Sequence, residues 1–166
     1  VGRTEEAGRA LARGKGTDPL VWPDVRHAER NVHVRGHASY QRAQQLSAAG
    51  RVSEALDIIN RLQKYHPPRE CGQDEGFFLA CNLMNSRAIA QDRDGSPEKA
   101  FATIEQGLAI NPDFIPFHFT MANLYRQDRD LTSALGHIDR AIELNPARGY
   151  AHEQRGRLLI GLEKFD

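Results

Sequence analysis

Apolar residues recur along this chain at spacings of three and four. The clearest stretch is residues 115–148, IPFHFTMANLYRQDRDLTSALGHIDRAIELNPAR, which is 34 residues long. Phe117, Met121, Leu124 and Tyr125 share one helical face, and Ala134, Leu135, Ile138, Ala141, Ile142 and Leu144 share another. Polar Arg126 to Asp130 separates the two patterns and is short enough to fold them into an antiparallel hairpin. Pro146 ends the second helix, because the residue before a proline is pushed out of the helical region.

The pattern repeats. An alanine stands at Ala7, Ala55, Ala100 and Ala134, and four residues on stand Leu11, Ile59, Ile104 and Ile138. Twelve residues on from each alanine come Pro19, Pro67, Pro112 and Pro146. Five residues before the first three come Gly2, Gly50 and Gly95, where the fourth copy has Arg129. One hairpin cannot bury both of its faces, and stacked copies supply the missing partner.

These residues resemble the tetratricopeptide repeat, a 34-residue helix-turn-helix unit. The small residue of that family's first helix matches Ala43, Ala88, Ala122 and Gly156, and its large residue three positions later matches Leu46, Tyr125 and Leu159. Gln91 departs from the second match, and Ser39, Met84, His118 and His152 stand where an early aromatic is common. The resemblance implies an all-α fold: an α-solenoid of stacked antiparallel helix-turn-helix repeats forming a right-handed superhelix. Residues 1–166 are expected to form a single domain. Within it, 1–19 would be the second helix of a partial repeat, 20–35 a linker or insert, and 36–69 a full repeat. An insert follows at 70–80, then full repeats at 81–114 and 115–148, and the first helix of a partial repeat at 149–166. Asp24 can cap a helix running into the first full repeat, and Ser96 followed by Pro97 marks a helix start. Trp22 is expected to fill a gap between repeats, and Phe77 and Phe78 to lie in the core, with an exposed contact patch as the alternative for the Phe pair.

Composition narrows the function classes. Lys and Arg number 22, as do Asp and Glu, so the formal net charge is zero, which argues against a general nucleic-acid surface. No apolar run is long enough to span a membrane. Cys71 and Cys81 are too few for a disulfide framework. Two free thiols in a reducing, cytoplasmic setting are expected, with a disulfide bracing the insert as the alternative. There is no Gly-rich phosphate loop, no HExxH and no CxxC, so no catalytic residue, metal ligand or cofactor is assigned. His33 and His37 are four apart but lack a carboxylate or Cys partner at a recognisable spacing.

The resemblance also implies a binding mode. In such arrays the first helices line a concave groove, and here that lining includes Tyr40, Gln44, Asn85, Phe119, Asn123, Arg126, Tyr150, Glu153 and Arg157. Amides can hydrogen-bond an extended backbone, aromatics pack side chains, and Arg pairs a carboxylate. The expected partner is therefore a protein or peptide segment rather than nucleic acid or membrane. Tyr40 and Pro116 stand where the family's chaperone-tail binders would carry Lys, which speaks against that ligand. Two alternatives stay open: a regulatory or substrate-positioning arm of a larger enzyme, and a homo-oligomer formed through exposed terminal helices.

Overall fold

The left-handed turn residue sets where each helix hairpin bends. In the computed structural model Gly50 and Gly95 have φ of 78° and 75°, and Arg129 takes the same conformation with φ of 63°. The residue after each closes back on the helix before it. Arg51 N–H donates to Leu46 O, Ser96 N–H to Gln91 O, and Asp130 N–H to Tyr125 O, each at 2.9 Å. This six-to-one bond satisfies carbonyls that the ending helix would otherwise leave open. The sequence period of glycines is thus the period of a helix-ending motif.

The structure describes residues 25–72 and 79–163, with side chains from Gly36 onward. The expectations for residues 1–19, Trp22, Asp24, Phe77 and Phe78 lie outside these residues, and that for the His33 side chain lies before Gly36. Two compact units divide the chain, Val1–Arg35 and Gly36–Asp166, and the side-chain contacts below belong to the second. Among the described residues the elements are α1 (Val25–Ala48), α2 (Val52–Gln63), a 3-10 turn (Pro68–Glu70), α3 (Leu79–Arg93), α4 (Pro97–Ile110), α5 (Ile115–Gln127), α6 (Leu131–Leu144) and α7 (Gly149–Glu163). The described residues include no strand.

Three buried clusters show what stacking accomplishes. Tyr40, Ala43, Ile59, Leu79 and Leu83 join α1 and α2 to α3. Met84, Ala88, Ala100, Ile104, Phe117 and Met121 join α3 and α4 to α5. Ala122, Ala134, Ile138 and Leu158 join α5 and α6 to α7. Each cluster is one hairpin plus the first helix of the next, so every hairpin completes its core on its neighbour. Helix α3 has partners on several sides, and its buried residues accordingly run almost without a break from Leu79 to Met84. The repeated alanines Ala55, Ala100 and Ala134 are fully buried, where helices approach too closely for a larger side chain.

Polar departures from the repeat pattern find partners. Gln91 Oε1 accepts from Thr103 Oγ1 at 2.8 Å, so a hydrogen bond joins α3 to α4 where the pattern has an apolar side chain. His118 and His152 each place Nε2 at 2.8 Å from the carbonyl of the proline six residues before, Pro112 and Pro146. These histidines tie each first helix to the turn preceding it. Ser96 does stand at the start of α4 with Pro97 at the first helical position, but its side chain makes no capping hydrogen bond. Asp130 caps α6 instead, accepting from Ser133 N–H at 3.0 Å.

The cysteines depart from expectation. Cys71 and Cys81 form a disulfide, and both are buried in the core shared by α3, α4 and α5. The 3-10 turn after Pro67 brings Cys71 back beside the start of α3, leaving the two Cα atoms 4.6 Å apart. That separation lies within disulfide range. A count of two cysteines favours free thiols in a reducing setting, and the structure instead shows the alternative, a disulfide bracing the insert.

Candidate binding face

Side chains of α1 meet those of α3, α3 those of α5, and α5 those of α7, so the four helices follow one another in a row. Its three seams are built differently. The α3–α5 seam is closed by side chains: Thr120 Oγ1 donates to Asn85 Oδ1 at 2.7 Å, and Gln127 Nε2 donates to Asp92 Oδ2 at 3.0 Å. Asn85 keeps its amide N–H groups for another partner.

The α1–α3 seam opens into a pocket of about 180 Å³. Ala43, Ala48, Ile59 and Ile89 give it apolar walls, and Gln44 and Arg93 stand at the same pocket. Tyr40 lies in the core at 6% exposure, and burial raises its phenol pKa. Its hydroxyl receives Gln44 Nε2 at 2.8 Å and Ser86 Oγ at 3.3 Å. Tyr40 therefore holds Gln44 and Ser86 in place rather than presenting its ring. Arg93 Nη1 donates to Ser47 Oγ at 3.0 Å.

The α5–α7 seam opens into a wider cleft of about 460 Å³. Asn123 and Arg126 line it from α5, and Tyr150, Gln154 and Arg157 from α7, together with apolar Leu131 and Leu158. Beside it Phe119 and Tyr150 meet edge to face with centroids 5.1 Å apart, and the Arg148 guanidinium lies 5.0 Å from the Phe119 centroid. Arg157 pairs with Glu153 at 2.6 Å. Arg126 is exposed and has no carboxylate partner among the described residues.

The nine residues singled out from the sequence thus divide by seam. Tyr40 and Gln44 belong to the first and Asn85 to the second, while Phe119, Asn123, Arg126, Tyr150, Glu153 and Arg157 gather at the third. Sequence reading passed over Arg93, Gln154 and Arg148. Arg93 ends α3 and Arg148 precedes α7, and helical periodicity loses its directional meaning at such ends. Among the described residues no three His, Cys, Asp or Glu side chains come together as a metal site, and no helix is long and apolar enough to cross a membrane.

No protein-family model matches the chain, and no curated protein matches it. Among solved structures it is similar to the crystal structure of PcrH in complex with the chaperone binding region of PopD, with a TM-score of 0.51 and 19% identity over 87% of this chain and 96% of PcrH. Identity at that level speaks to fold alone. Together with the three hairpin-to-hairpin cores, the likeness makes this an all-α helical-repeat fold, consistent with the tetratricopeptide type that the sequence resembles.

Proposed function

We propose that this chain is a binding module that holds an extended peptide or protein segment along the face of α1, α3, α5 and α7. The observation that carries this reading is the α5–α7 cleft, where Asn123, Arg126, Tyr150 and Arg157 converge. Asn123 and Gln154 can bond a peptide backbone, which an extended segment leaves unpaired. Tyr150 is 49% exposed and offers apolar area at low entropic cost. Free amides at Asn85 continue the same polar track toward the α1–α3 pocket. PcrH, whose fold is similar, was solved holding a region of another protein, and this supports the reading without specifying the ligand.

The test is selection of a random 12-residue peptide display library on the wild-type chain and on Asn123→Ala/Arg126→Ala. Both side chains are exposed, so the variant should keep the helical circular dichroism and thermal transition of the parent. Peptides enriched on the wild type should bind the double variant at least about tenfold more weakly. Equal binding to both proteins, with the fold unchanged, would place any ligand elsewhere.

A further inference from the structure

We infer that the segment held on this face is acidic, with a carboxylate at Arg126 and an aliphatic side chain in the α1–α3 pocket. The inference rests on the peptide-binding reading and names the chemistry of its ligand.

Charge distribution leads to the carboxylate. On this face Arg157 pairs with Glu153, and Arg126 lines the same cleft. On the face, Arg93, Arg126 and Arg148 have no carboxylate partner among the described residues. Against these four guanidinium groups stand the carboxylates of Glu153, paired with Arg157, and Asp92, which receives only the neutral amide of Gln127. A partner that docks here meets guanidinium groups with donors to spare. A carboxylate matches their fork geometry, whereas a Lys or Arg side chain would be repelled.

The second anchor follows from the shape and lining of the α1–α3 pocket. Ala43, Ala48, Ile59 and Ile89 line it beside four polar side chains that are bonded to other groups: Gln44 and Ser86 donate to the Tyr40 hydroxyl, and Arg93 donates to Ser47. A branched aliphatic side chain fits that chemistry. The pocket presents no aromatic platform on which a nucleobase would stack, so an aliphatic side chain suits it better than a base.

Helix packing sets the spacing between the anchors. The α1–α3 and α5–α7 seams are two interhelix steps apart, and at about 9 Å per step the separation is about 18 Å. An extended chain rises about 3.3 Å per residue, so the aliphatic and acidic residues should lie about five or six positions apart.

Sequencing the peptides from the selection on the wild-type chain tests this directly. Enriched peptides should carry Asp or Glu about five or six positions from Leu, Ile or Val, with Lys and Arg depleted. The best of them, labelled for fluorescence anisotropy, should bind Arg126→Gln about tenfold more weakly, while its Asp→Asn or Glu→Gln form binds both proteins alike. Ala48→Phe fills the pocket from an exposed position and should remove the preference for the aliphatic residue. Peptides that depend on Asn123 and Arg126 but show no acidic enrichment would leave the groove reading standing and overturn this inference. Displacement of the best peptide by a 12-residue oligothymidylate with tighter binding would also overturn it. The absence of any selected peptide would overturn both.

Discussion

Arg129 occupies the turn position that Gly50 and Gly95 hold in the other hairpins, and it pays a conformational cost that glycine does not. The left-handed region costs a residue with a side chain roughly 1–2 kcal/mol. Glycine's extra freedom in the unfolded chain returns roughly 0.5–1 kcal/mol of that. Arg129→Gly should therefore stabilise the protein by about 0.5–1 kcal/mol in urea unfolding. A loss of stability would mean that the Arg129 side chain contributes something the turn geometry does not explain. His137 supplies a second test at this scale. Pro112 O can only accept, so His118 Nε2 donates to it, which leaves His118 Nδ1 facing His137 Nδ1 at 3.2 Å. Burial, and then the neighbouring His118, lower the His137 pKa, while its ring stacks on Tyr125. The fold thus favours the neutral ring. Its contribution is complete above the unfolded value of about 6.5 and is lost as pH falls below that toward the lowered native value. Stability measured from pH 7.5 down to 5 should decline, and His137→Phe should flatten that slope while keeping the stack on Tyr125.

At the scale of elements, the contact between α4 and α5 depends on a glycine that the repeat pattern did not single out. Gly107 is buried in α4, and a Cβ built there would lie 2.6 Å from Phe117 Cζ. In an exposed helix Gly→Ala is stabilising by about 1 kcal/mol. Here the sign should reverse. Phe117 is fully buried and meets Phe114 edge to face at 4.8 Å, so the ring has little room to give. Gly107→Ala should cost about 1–3 kcal/mol in denaturant unfolding. Helix hairpins, turn positions and closing prolines were legible in the sequence because each is a local periodicity or a local backbone restriction. Gly107 was not, because its role is defined by a ring on another helix.

For the repeat unit as a whole, the Cys71–Cys81 disulfide joins the exit of the first hairpin to the first helix of the second. Its sulfurs sit in the core that continues into α5, so the link fastens neighbouring repeats together as well as closing the loop between them. Closing a loop of about ten residues should stabilise by about 2–4 kcal/mol. Cys71→Ser/Cys81→Ser, or the wild type unfolded under reducing conditions, should lose about that amount in urea unfolding. Identical midpoints with and without reductant would show that the bond adds nothing to stacking. The candidate face behaves like the disulfide in one respect. Its residue types could be read from first-helix positions, but which seams open into pockets and which are zipped shut could not.

The sequence by itself determined the all-helical class, the hairpin period, the turn positions and the small residues at the crossings. These follow from 3.6-residue periodicity and from the φ restrictions of glycine and proline, which act within a few residues. Tertiary structure alone decided the disulfide, the His118–His137 pair, the burial of Tyr40 and the place of the Arg126 guanidinium in a cleft it shares with Arg157. Each rests on distances between atoms that lie apart in the sequence. Such distances are set by how hairpins stack, and stacking depends on all the side chains in an interface at once.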